Sequence, residues 1–199
     1  MEPVTLTTDR LYLRTLEPAD TDAVLIACQD PEIPRWTSVP SPYTRTHAMD
    51  FVERVSPAGW RDDSLYGFGV FTRESDTMVG TIALVRLGQL AAPVRQAELG
   101  YWTVKEHRGK GYTAEAGLAV CRWAFEHVGV ERMEWYAEAG NEGSRAVALR
   151  IGFVMEGTVR AKIVQRGSRR DAWTGALLPS DLGLGSETPY LPYDPARPA

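Results

Sequence analysis

Between His107 and Gly117 the chain reads HRGKGYTAEAG, with Gly109 and Gly111 one residue apart, Arg108 and Lys110 interleaved, and Tyr112 and Thr113 opening a helical stretch. Backbone of this kind suits an anion. Glycine withdraws the side chains that would keep oxygens away, and a helix N-terminus offers free N–H groups at the positive end of its dipole. The stretch is not a Walker loop, because G-x-x-x-x-G-K-[ST] occurs nowhere in the sequence. It matches G-x-G-x-x-A formally, through Gly109, Gly111 and Ala114. A dinucleotide fold, however, runs an apolar, doubly buried strand straight into the first glycine. Here the polar KEHR intervenes, and Glu98 sits inside the preceding strand. The plainer alternative is a glycine turn that only lets a helix pack closely.

Three other side chains have types suited to proton transfer or to hydrogen bonding. Glu98 lies in QAELGYWT and, by the two-residue period of a strand, shares a face with Gly100 and Trp102. It reads equally as an exposed or ion-paired glutamate. Asn141 and Ser144 stand three apart at the start of a helical stretch, where both types are also common caps.

The elements that must position these groups read as mixed α and β. RLYLRTL (10–16) alternates as a half-buried strand, and a short helix follows, with Asp20 or Thr21 as its N-cap. The stretch from 30 to 44 holds four prolines and no period, which predicts a loop; a helix is expected from Arg45 to about Val55. Residues 66–87 form two β-rich runs around ESD, a hairpin, and 95–104 is a further strand. After the glycines Ala114, Leu118, Cys121 and Phe125 make an apolar stripe, flanked by Gly117, Val120 and Ala124. A strand over 131–139, a helix over 144–152 stopped by Gly152, and a last pair of strands complete the pattern. From Pro179 onward the chain is rich in Pro and Gly and reads as a tail, ordered only where it packs on something.

Composition narrows the classes. The 199 residues suit one domain with a real core, at 44% hydrophobic and 24% charged. A net charge of −4 argues against a nucleic-acid surface. Cys28 and Cys121, with neither a C-x-x-C pair nor a His-rich partner, imply no disulfide framework and no metal site. No apolar run approaches ~20 residues, and the opening segment lacks the apolar core of a signal peptide, so a cytoplasmic setting is expected.

The strand AELGYWTV, the loop KEHRGKGYT, a helix, a strand and then NEGSRAVALRIGF together resemble the GNAT acyl-CoA N-acyltransferases. Asn141, Ser144, Gly152, Phe153, Glu156, Gly157 and Arg160 are similar to the ending of the RimJ/RimL branch, which acetylates protein N-termini, and the resemblance runs from about Leu6 to Leu182. It implies an α+β fold with a mixed, mostly antiparallel sheet of about seven strands flanked by about four helices. Acyl-CoA would lie between two splayed central strands. A catalytic domain over 1–182 and a tail over 183–199 follow from the same likeness.

The resemblance also implies roles. Arg108, Gly109, Lys110, Gly111, Tyr112 and Thr113 would hold the CoA pyrophosphate, with Thr113 standing where the family has a smaller residue. The backbone of Tyr101, Trp102 and Thr103 would hold the pantetheine arm as an added strand. Asn141 would bond its amides, and Ser144 would protonate the departing sulfur. Glu98 stands where the superfamily often has its base. The segment TVRAKIVQRG offers Lys162 and no second carboxylate, so either Glu98 acts through a water or the amine arrives deprotonated. Arg35, Trp36 and Tyr43 fall on the expected acceptor wall, though Trp36 is equally a core plug. The acceptor is expected to be a protein N-terminal amine or a small amine. The donor is acetyl-CoA, or succinyl-CoA given the arginines, with no metal, and a homodimer is compatible. A silent acyl-CoA-binding module is the remaining alternative.

Overall fold

A computed structural model describes residues 1–91 and 93–193; the last part of the expected tail, 194–199, lies outside the described residues. Eight strands form one open sheet in the order β1-β2-β3-β4-β5-β6-β8-β7. They are β1 (Leu6–Thr7), β2 (Leu11–Arg14), β3 (Tyr66–Thr72), β4 (Met78–Val85), β5 (Gln96–Thr103), β6 (Arg132–Glu138), β7 (Val154–Gln165) and β8 (Ser168–Leu177). All neighbours are antiparallel except β5 and β6. The helices are α1 (Thr21–Ala27), α2 (Glu32–Trp36), α3 (Arg45–Met49), α4 (Ser56–Arg61), α5 (Tyr112–Trp123) and α6 (Glu142–Ile151).

The α+β architecture matches the expectation, with eight strands in place of about seven. Two local expectations are corrected. The proline-rich stretch contains α2, and the helix begun at Arg45 does not stop near Val55: a π-helical stretch, Asp50–Val55, carries it into α4. Pro57, which donates no N–H, stands at the second residue of α4, directly after the π-helical stretch.

The sheet is covered on both faces. Ala97 and Leu99 of β5 and Met133 and Trp135 of β6 join Val120, Cys121 and Ile151 in the larger core, beneath α5 and α6. Gly117 lets these two helices meet, since a Cβ there would lie 2.4 Å from Ile151 Cδ1. The smaller core gathers Leu16, Val24, Ile33, Val52 and Phe71 under α1–α3, with Trp102 packed against it. Both cysteines are buried and free, and burial pushes the Cys28 thiol up to about 12. The tail leaves along the sheet's far end, where Glu131 accepts from the Glu187 backbone N–H and Glu187 pairs with Arg95.

The feature that shapes the site is a failure of pairing. Strands β5 and β6 run parallel only through Gln96↔Arg132, Ala97↔Met133 and Glu98↔Glu134. Beyond Glu98, β5 stays on β4 as far as Thr103↔Gly80, while β6 stays on β8. A slot therefore opens between the two central strands.

Candidate active site

The edge of β5 from Leu99 to Thr103 faces the slot with no strand opposite it. Backbone donors and acceptors there need partners, and an extended amide-bearing chain supplies them as an added strand does. The expected pantetheine-binding residues Tyr101, Trp102 and Thr103 lie on this edge.

The glycine loop closes the slot's mouth. Gly109 and Gly111 both take left-handed backbone, at φ +75° and +79°, and Gly111 is the N-cap of α5. The loop is braced from below: Glu115 in the first turn of α5 accepts from Arg10 Nε at 2.6 Å and from the Arg10 backbone N–H at 3.1 Å. Arg10 in turn donates to the Lys110 carbonyl. A Cβ on Gly111 would lie 3.6 Å from the Arg10 guanidinium and 3.7 Å from that of Arg150. Arg10 and Arg150, which the sequence pattern did not single out, thus add positive charge beside Lys110. Thr113 bonds the Thr103 hydroxyl at 2.5 Å, joining the first turn of α5 to the end of β5. Its bulk is accommodated, and its hydroxyl is engaged within the protein. Arg108 turns back to donate to the Thr103 carbonyl and pairs with Asp30 at 2.5 Å.

On the α1–α3 face, Glu98 lies at the point where the parallel pairing ends. Arg86 Nε forms an ion pair with the buried Oε2 of Glu98 at 2.5 Å. Burial pushes the Glu98 carboxyl up, nearby Arg86 and Lys162 pull it down, Glu134 pushes it up further, and the net shift is upward. Lys162 reaches this face because β7 bulges between Val159 and Ile163, with Ala161 at φ +54°. Its ammonium sits 4.6 Å from the Tyr136 ring centroid.

At the far end of β6, Glu138 is 8% exposed and receives both arms of the Arg35 guanidinium, at 3.0 and 2.9 Å. That bond, with burial opposing it, holds the carboxyl below its ordinary range. Arg35 also lies 4.0 Å over the Trp36 ring. The β7–β8 turn reaches α2 as well, Gln165 and Arg166 both donating to the Pro34 carbonyl. Arg35 and Trp36 are thus brought together with Glu138 at the end of β6. Tyr43 does not join them: its ring packs in the smaller core against His47. Glu138 went unnoticed in the sequence, although the two-residue period of β6 places Glu134, Tyr136 and Glu138 on one face.

Asn141 and Ser144 differ in what their side chains bond. Asn141 Oδ1 accepts from the Ser144 N–H at 3.1 Å and caps α6. The Ser144 hydroxyl caps nothing; it accepts from the Trp135 indole at 3.1 Å and donates to the Tyr101 hydroxyl at 3.2 Å.

Comparison with known proteins places this geometry. Residues 10–154 match the model of the acetyltransferase (GNAT) domain family. The Bacillus subtilis protein YdaF, named provisionally as a ribosomal N-acetyltransferase, is 32% identical over 82% of this chain and 88% of its own. The ribosomal-protein-serine acetyltransferase of Escherichia coli is 30% identical over a shorter part, 44% of this chain and 47% of its own. The structure of Mycobacterium smegmatis RimJ in complex with CoA-disulfide superposes with a TM-score of 0.80 over 92% of each chain, at 20% identity, a likeness of fold.

Proposed function

The chain belongs to the GNAT acetyltransferase family and is an N-acetyltransferase, and on that premise we propose that it moves acetyl from acetyl-CoA to the N-terminal α-amine of a protein. The observation that carries the reading is the slot between β5 and β6, roofed by the glycine loop. A thioester supplies an acyl group already activated for attack. The protein must orient it, polarise its carbonyl, take a proton from the amine and give one to the sulfur.

The free edge of Tyr101, Trp102 and Thr103 is suited to hold the pantetheine arm, with a backbone N–H directed at the thioester oxygen. Gly109, Lys110, Gly111, Tyr112 and Thr113, with Arg108 nearby, are suited to hold the pyrophosphate. The side-chain NH₂ of Asn141, whose oxygen is spent on the cap, faces no protein partner and suits a pantetheine carbonyl. Glu98 is the base: burial raises its carboxyl toward the pH at which it can exchange protons with an amine. Ser144 is the acid. Arg35 and Trp36 line the acceptor wall with Glu138, whose fixed carboxylate suits an incoming ammonium. The catalytic domain would span 1–182 and the tail 183–199.

The names of YdaF and of the Escherichia coli relative support a ribosomal protein as acceptor. The test is mass spectrometry of products from acetyl-CoA with peptides of varied N-terminus, free amino acids and polyamines. Acetylation confined to peptide α-amines supports the reading. Turnover of small amines alone overturns it, and faster use of succinyl-CoA moves the donor. The two buried free thiols support a reducing, cytoplasmic setting, and sedimentation decides between monomer and homodimer.

A further inference from the structure

Three elements converge on one hydroxyl. Trp135 of β6 donates its indole N–H to Ser144 Oγ at 3.1 Å. Ser144 Oγ donates to the hydroxyl of Tyr101, on β5, at 3.2 Å. Tyr101 spends its own proton on the Ser144 carbonyl at 2.9 Å. Trp135 is 1% exposed, and burial keeps the Tyr101 phenol protonated by pushing its pKa up.

The donor inventory of these groups is asymmetric. An indole N–H donates and never accepts, so Trp135 permanently fills one lone pair of Oγ. A phenol does both. The carbonyl that Tyr101 now serves lies inside α6, where the helix provides its own donor four residues on. Turning the phenolic O–H from that carbonyl onto Oγ therefore leaves no carbonyl unpaired.

We propose that Tyr101 and Trp135 are positioning residues that form a two-donor cradle for Ser144 Oγ, readying it to protonate the sulfur of departing CoA. The inference rests on the reading of Ser144 as the acid. As the carbon–sulfur bond breaks, its electron pair goes to sulfur, and Ser144 Oγ gives its proton there. The Tyr101 O–H swings onto Oγ as that proton leaves, so the partial negative charge building there in the transition state lies between an O–H and an N–H donor, with no free alkoxide formed. The proton that Glu98 takes from the acceptor amine is passed on through water to Oγ as Oγ gives its own to sulfur, which restores both groups. Fixed donors aimed at a charge that appears only during reaction act where stabilisation accelerates.

The test is a double-mutant cycle of Tyr101→Phe and Ser144→Ala with two readouts. One is kcat; the other is the pKa of the thiol of CoA bound to the protein, followed by the ultraviolet absorbance of its thiolate. Each single change is expected to lower kcat about 10-fold or more and to raise the bound thiol's pKa, since a donor to the thiolate is lost or weakened. The double variant is expected to match Ser144→Ala in both readouts, because Tyr101 acts only through Oγ. Losses that multiply, or a Tyr101→Phe protein equal to the parent in both readouts, overturn the cradle and leave Ser144 standing. A Ser144→Ala protein equal to the parent overturns the reading of Ser144 itself. Trp135→Phe, where it folds, repeats the cycle from the other donor and is held to the same criterion.

Discussion

At Glu98 burial and charge pull in opposite directions, and burial wins. A base must be ionised to act, so kcat/KM is expected to fall on the acid side with an apparent pKa above the ordinary carboxylate range. Glu98→Gln should lower kcat and flatten that limb; a limb that survives the change removes Glu98 from proton transfer. The same shift has a sign for stability. A carboxyl whose folded pKa is raised contributes its stability fully below its unfolded pKa and loses it as pH rises through the folded one. Glu98→Gln should therefore gain in melting temperature relative to the parent as pH climbs from the ordinary carboxylate value of about 4 through the raised one, and a difference independent of pH would count against the buried-carboxyl account. One turn into α6 the capping geometry separates two neighbours. Asn141→Ala should cost about 1 kcal/mol of stability, whereas Ser144→Ala removes no cap and should act on kcat. In the sequence both residues fitted either role, because type and spacing are the same for a cap and for a ligand. What separates them is the Trp135 indole beneath, and nothing about a tryptophan in a strand announces which hydroxyl it will meet.

At the scale of elements, local signals were legible where local physics decides. The β3–β4 hairpin follows from two β-rich runs around a turn, and α5 from glycines opening onto an apolar stripe. Of that stripe Ala114 and Cys121 are buried while Leu118 and Phe125 are only partly so, and the flanking Val120 and Ala124 are fully buried, so the face turned to the core is centred beside the expected one. Helix α2 was not legible, because its five residues include Pro34 and owe their placement to partners remote in sequence: Glu138, Gln165 and Arg166. The bulge that aims Lys162 at Tyr136 is likewise invisible in TVRAKIVQRG, since it depends on the register with β8. The slot itself belongs to this class, for no motif says where two parallel strands will part. The N-terminus of α5 gives a prediction of its own. A valine at Gly111 must adopt φ near +79°, which costs a branched side chain on the order of 1–3 kcal/mol, and it would crowd the anion site. Gly111→Val should abolish CoA binding by calorimetry while the far-ultraviolet spectrum stays that of the parent; unchanged affinity would relocate the pyrophosphate.

For the whole molecule, the likeness carried by the loop and by the Asn141–Phe153 segment continues as a likeness of fold over the described sheet, in which β5 and β6 are the only parallel pair among the described residues. Among the described residues no cluster of His, Cys, Asp and Glu is arranged to hold a metal ion, and none of the helices is long and apolar enough to cross a membrane. The proton chemistry proposed for Glu98 and Ser144 calls on no metal, so turnover is expected to be unaffected by EDTA; a loss restored by zinc would contradict it. The contact of Arg108 with Asp30 has a thermodynamic consequence. One guanidinium joins the segment that leads into α2 to the end of β5 and the glycine loop, and whatever factor an acceptor imposes on CoA affinity, CoA must impose on the acceptor in return. Severing the contact with Asp30→Asn should shift both dissociation constants, the one for CoA downward as Arg108 is released to its phosphates. It should also shrink the linkage between them, about 5-fold for each 1 kcal/mol of coupling lost. Titrating each ligand in the presence and absence of the other measures that factor from both directions, and the two values must agree.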